Sequence, residues 1–229
     1  MNPASCKALR ILYMAASLFS PGAFASGSPV CDATPIVKDA TPDKIRAFFA
    51  DQQKRVITFV GYSGSGYQDR PAMLATAGNV LEEFDPSRTL VNIGATPDGI
   101  GAVYTLSREM GFITTGIVSS QAKKYAAGLS PCVDHVFYVE DATWGGYLDE
   151  GEHLSPTSTA MVAVSDVLIG IGGGTVARDE LLAARGMGKE VRFIPADMNH
   201  EKAREKARKK GSPPPQGFRG AADEFFGTE

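Results

Sequence analysis

The residues able to do chemistry lie in three glycine-rich stretches, each directly after an apolar run. The richest is 165–182, SDVLIGIGGGTVARDELL. It reads as a buried strand over 167–171, three glycines (Gly172, Gly173, Gly174) and a helix starting near Thr175. Glycines at such a turn let the chain reverse without a Cβ clash and let a ligand approach the backbone. The helix start adds free N–H groups and the positive end of its dipole, so the stretch can cradle a phosphate or carboxylate. Thr175 adds a hydroxyl and Arg178 a guanidinium fork. Asp179 and Glu180 follow, and carboxyl groups beside a bound sugar are what glycosidic cleavage uses. Without a ligand the same turn is a tight strand-to-helix connection, Arg178 an ion-pair partner and Glu180 a solvated helix residue.

The other two stretches repeat the arrangement. RVITFV (55–60) runs into GYSGSGYQD, with Gly61, Ser63 and Gly64; TLVNI (89–93) runs into GATPDG, with Gly94, Thr96 and Gly99. The first is not GxGxxG in register, which argues against a dinucleotide fingerprint. Cys31 and Cys132 are far apart and His135, His153 and His200 are scattered, so no metal-ligand spacing is present and no cofactor is indicated.

These turns must be held by regular elements. Apolar strands are expected over 55–60, 89–93, 112–118, 135–139, 167–171 and 190–195, alternating with helices over 42–53, 70–84, the segment after Gly101, 121–127, 158–164, 175–185 and 200–210. Strands apolar along their whole length are covered on both faces. The pattern predicts an α/β, three-layer Rossmann-like fold with a mainly parallel sheet and right-handed crossovers. Ligands of such sheets bind beyond the C-terminal strand ends, where all three glycine turns fall. Residues 140–156 (EDATWGGYLDEGEHLSP), with the single Trp144, form a long loop of the kind that makes a lid, a binding edge or a plain surface connection. The basic helix over 200–210 is expected to face solvent.

The 229 residues divide into an export signal (1–25), an arm and helix (26–54), the main domain (55–198) and a basic helix with a C-terminal tail (199–229). Lys7 and Arg10, the apolar run 11–19 and Ala23-Phe24-Ala25 make a cleavable secretory signal, so a periplasmic or secreted location is expected. No later stretch suits a membrane span. A net charge of -3 gives no reason to expect a nucleic-acid polymer as partner. Cleavage would leave Cys31 and Cys132, an even pair expected to form a disulfide in an oxidising compartment.

VITFVGYSGSG, LVNIGATPDGIGAVYTLSREMGFITTGIV and MVAVSDVLIGIGGGTVARDEL, in that order across residues 55–196, resemble the LOG/lysine-decarboxylase-like proteins of the SLOG group of Rossmann-like nucleotide binders. The resemblance implies a nucleotide or nucleotide-derived ligand and a homodimer formed through helices. For an enzyme it implies hydrolysis of a nucleoside 5'-monophosphate to free base and ribose 5-phosphate. The family signature is PGGxGTxxE, preceded by an Arg-Lys pair. Matching Gly174-Thr175 to its Gly-Thr puts Arg178 at the glutamate, Asp179 and Glu180 one and two residues beyond, and Thr157 and Ser158 at the Arg-Lys pair. Three functions are expected in turn: an exported binding protein for a small phosphate-bearing, nucleotide-like anion; a phosphoribohydrolase-type enzyme using Glu180 or Asp179; and an interaction protein that keeps the fold without the site.

Overall fold

The computed structural model describes Met1, Cys31, residues 34–149 and residues 153–227; the expected export signal lies outside the described residues. Among them the elements are β1 Ile36–Asp39, α1 Pro42–Gln52, β2 Arg55–Gly61, α2 Arg70–Leu81, β3 Thr89–Ile93, α3 Val103–Glu109, β4 Ile113–Ser119, α4 Gln121–Lys124, β5 His135–Val139, α5 Pro156–Val164, β6 Val167–Ile171, α6 Thr175–Gly186, β7 Glu190–Ile194, α7 His200–Lys209 and α8 Asp223–Phe226. A 3-10 turn, Gly99–Ala102, precedes α3.

The strands form one sheet in the order β1-β5-β4-β3-β2-β6-β7, and every pairing is parallel. Six strands are those the apolar runs predict. The seventh, β1, comes from the N-terminal arm and pairs with β5 at the sheet edge, where all four of its residues are exposed. A short exposed strand has no apolar alternation to announce it. The Cys31–Cys132 disulfide is formed and fastens the arm beside this edge.

Alternate residues along each strand point to opposite faces. Ile57, Phe59, Val91, Ile93 and Ile169 pack with Met73 and Leu81 of α2 and Tyr104 of α3. Val56, Leu90 and Phe137 pack with Ile45 and Phe49 of α1 and Met161 of α5, while Val60 and Leu168 pack with Leu181 of α6 and Phe226 of α8. The result is a three-layer α/β sandwich. No helix among the described residues is long and apolar enough to cross a membrane.

From β2 the chain winds outward through β3, β4 and β5, then returns to lay β6 on the other side of β2. The strand order therefore reverses between β2 and β6, and the crevice at such a reversal is where α/β sheets bind ligands.

Candidate functional site

A cleft of about 1010 Å³ opens at that reversal, above the C-terminal ends of β2, β3 and β4. Gly61, Ser63 and Gly64 reach it from the first glycine turn, Gly94 and Thr96 from the second, and Val176, Ala177 and Glu180 from α6. The Ser63 and Thr96 hydroxyls are hydrogen-bonded at 3.3 Å, tying the two turns together. Nothing lies within 4 Å of where a Cβ on Gly94 would stand, so the backbone there is bare toward the cleft. Helices α1, α2, α5 and α7 are capped by the side chains of Thr41, Asp69, Ser155 and Asn199. Helix α6 begins at Gly174 with no side-chain cap, leaving its first N–H groups to other partners.

The third glycine turn has a different place. Gly172, Gly173, Gly174 and Thr175 are outside the lining of the cleft. Gly172 and Gly173 have φ of 54° and 140°, which only glycine adopts readily. A Cβ would meet the Tyr62 ring at Gly172 and the Ala177 methyl at Gly173. The C-terminal segment covers the turn: the Ala222 N–H donates to the Gly173 carbonyl at 3.2 Å. The Gly220 N–H donates to the Tyr62 hydroxyl at 2.7 Å. Gly99 also lies outside the main cleft, in an adjoining recess of about 250 Å³ with Asp98, Tyr67 and Lys202.

The charged residues of α6 separate in the same way. Arg178 donates from Nε to Asp179 Oδ1 at 2.8 Å and lies over the Phe225 ring. Asp179 also accepts the Tyr147 N–H at 3.0 Å. Neither lines the cleft. Glu180, one residue on, turns into its floor and is 4% exposed. The Ser158 hydroxyl donates to Glu180 Oε1 at 2.6 Å and accepts the Gly146 N–H at 2.8 Å. Burial pushes the Glu180 carboxyl up to about 7, against the lowering effect of the Ser158 bond and with a further rise from Asp179. A carboxyl in that range can both give and take a proton near neutral pH.

Beside it stands Thr157, also a lining residue and 4% exposed, whose Oγ1 lies near the Asp141 carboxylate but forms no hydrogen bond of good geometry. Its backbone N–H is held by Asp141 Oδ2 at 3.0 Å, and Asp141 Oδ1 accepts from the N–H and hydroxyl of Thr143. Burial would raise the Asp141 carboxyl, but the N–H groups of Thr157 and Thr143, with the hydroxyls of Thr157 and Ser155, outweigh it and hold it below its ordinary value. This carboxylate joins the 140s loop to the start of α5. The same loop brings Trp144 to the rim, half exposed and stacked on Tyr125 with ring centroids 5.9 Å apart.

Helix α7 faces solvent with its lysines, as expected, and Lys202, Lys206, Lys209 and Lys210 also stand along the mouth of the cleft. It is docked by backbone contacts: Tyr67 bridges Met198, the Gln68 N–H donates to the Asp197 carbonyl, and the Asn199 N–H donates to the Gly66 carbonyl. The spacing 202, 206, 210 was readable as one helical face; what it faces depends on these distant contacts. Among the described residues no group of three or more metal-ligating side chains is present.

The sequence matches no protein-family model and no curated protein. Among solved structures, the chain is similar to a Moco carrier protein from Chlamydomonas reinhardtii, with a TM-score of 0.45 and 16% identity over 69% of this chain and 85% of that one. A second structure, of the molybdenum cofactor carrier protein MCP from Chlamydomonas reinhardtii, has a TM-score of 0.45 and 18% identity over 61% and 76% of the two chains. A third, the structural-genomics target TM1055, has a TM-score of 0.42 and 25% identity over 60% and 72%.

Proposed function

We propose that the chain is an exported protein that binds a phosphate-bearing, nucleotide-like small molecule in the cleft between β2 and β6. The observation that carries this reading is the convergence of Gly61, Ser63, Gly64, Gly94 and Thr96 with Val176 and Ala177 of the first turn of α6 on one cleft. The Thr157 hydroxyl in the wall lies beside the Asp141 carboxylate without a hydrogen bond of good geometry, and a polar ligand can complete its bonding. The uncapped start of α6, the Ser63–Thr96 hydroxyl pair and the bare Gly94 backbone favour an anion there. Trp144 at the rim, backed by its stack on Tyr125, suits a planar base, which stacks on an aromatic ring. Sites drawn from Gly61, Ser63, Gly64, Gly94 and Thr96 fit this reading, while Gly172–Thr175 support it by setting the start of α6. The resemblance of the three motifs to the LOG-type proteins favours the same ligand class, and the disulfide favours an oxidising compartment.

One observation favours a second reading. Glu180 combines burial, a short bond from Ser158 and a position on the cleft floor. That is the placement of an acid–base group for cleaving an N-glycosidic bond, as in a phosphoribohydrolase. Asp179, spent on Arg178 and the Tyr147 N–H, is less suited to the role.

The chain holds a single tryptophan, so the fluorescence of Trp144 reports on the cleft directly. Titration with AMP, ADP-ribose and ribose 5-phosphate is expected to quench it saturably for at least one of them. Flat emission with all three, together with no rise in melting temperature, contradicts a nucleotide site. Release of free base during the titration, abolished by Glu180→Gln, selects the hydrolase reading; binding without release selects the carrier or sensor.

A further inference from the structure

We propose that the cleft takes a ligand bearing two or more adjacent anionic groups, of the pyrophosphate or nucleoside-diphosphate class, whose outer charges rest on Lys202, Lys206 and Lys210. The proposal deepens the reading of the cleft as an anion site and rests on it. The three lysines recur at intervals of four residues, so they share one face of α7, and that face lines the cleft. Like charges at this spacing repel and destabilise a helix. The helix dipole accounts for the cations of the last turn, Lys206, Arg208 and Lys209. It opposes Lys202, which stands in the first turn. The ladder therefore persists against both local effects, as expected of groups that serve a partner outside the helix.

The nearby carboxylates leave it largely uncompensated. Lys209 is paired with Glu205 at 2.7 Å. Lys202 donates to the Gly64 carbonyl at 3.4 Å, joining the ladder to the first glycine turn. Lys206 and Lys210 make no ion pair among the described residues. The other acids lining the cleft are Asp98, which shares the adjoining recess with Lys202, and Glu180 in the floor. The mouth thus carries net positive charge on a chain whose formal charge is -3. Eight residues of helix separate Lys202 from Lys210, a run of about 12 Å, longer than one phosphate group reaches. An inner phosphate on the glycine turns and an outer one on α7 would use both walls.

The test compares AMP, ADP, inorganic phosphate and pyrophosphate by isothermal titration on the wild-type chain and on the Lys206→Gln/Lys210→Gln double variant. These two side chains are exposed and make no ion pair among the described residues, so the variant is expected to keep its circular dichroism and a melting temperature no lower than that of wild type. ADP should bind wild type about tenfold more tightly than AMP, and the double variant should lose about tenfold for ADP and less than about twofold for AMP. Pyrophosphate should compete with ADP where inorganic phosphate at equal concentration does not. Equal affinity of wild type for AMP and ADP, or equal losses for both in the variant, overturns the proposal and leaves the anion site standing. Heatless titrations with all four probes overturn the anion site and this proposal together.

Discussion

Glu180 occupies a place where a charged carboxylate is disfavoured: buried in the cleft floor, close to Asp179 and with one hydroxyl to stabilise it. Its folded-state value of about 7 lies above the ordinary 4.5. Between those values the unfolded chain has lost the proton and the folded chain keeps it, so stability falls as pH rises through this window. At about 1.4 kcal/mol per pH unit, the loss reaches roughly 3 kcal/mol between pH 4.5 and 7. Glu180→Gln has no proton to lose and should lack this drop. Urea denaturation of both proteins at a series of pH values measures the difference, and parallel stability profiles would contradict it. The residue itself was legible in the sequence as an acid near the third glycine turn. Its direction was not, because matching the family signature gives the glutamate position to Arg178, whereas the cleft face of α6 runs through Val176, Ala177 and Glu180 at three- and four-residue spacing. Thr157 was marked only by the resemblance, which sets it at the signature's Arg-Lys pair; its place in the cleft depends on how Asp141 ties the 140s loop to α5.

At the scale of elements, the cleft depends on the loop between β2 and α2. The Tyr67 hydroxyl accepts the Tyr62 N–H at 3.2 Å and donates to the Ile171 carbonyl at 2.7 Å, joining this loop to the end of β6. Burial raises the pKa of this hydroxyl, so it remains a neutral donor. Tyr67→Phe keeps the ring, which packs edge-on against Tyr62 with centroids 5.2 Å apart, but strips two buried backbone groups of their partner. The expected cost is about 1–3 kcal/mol, read as a lower urea midpoint with an unchanged slope; an unchanged midpoint would contradict the latch. Strands and helices were largely legible because apolar runs and caps such as Thr41-Pro42 are local signals, whereas α5 starts at Pro156, two residues before the expected 158, inside what reads as loop. Edge strand β1 lacked any such signal. The docking of α7 lacked one too, since it is set by Tyr67, Gln68 and Gly66, more than a hundred residues earlier in the chain.

In the molecule as a whole, the doubly wound order fixes where a ligand can go. Placing β6 against β2 brings the first two glycine turns and the start of α6 to one crevice; the alternation of strands and helices sets these turns at the C-terminal strand ends but does not fix the strand order. Nor does it fix the fate of the third glycine turn, because residues 220–226 return from the chain's far end to cover it. Its glycines serve close packing, and α6 rather than the turn meets the cleft. The central claim is that this crevice holds a polar, anionic guest against Thr157. It is tested most directly by calorimetric titration of AMP and ADP into wild type and Thr157→Val, which keeps the side chain's shape and removes the hydroxyl. Binding to wild type, weakened roughly fivefold or more in the variant, is the predicted result. Absence of binding to wild type, or equal affinity in the two proteins, would contradict it.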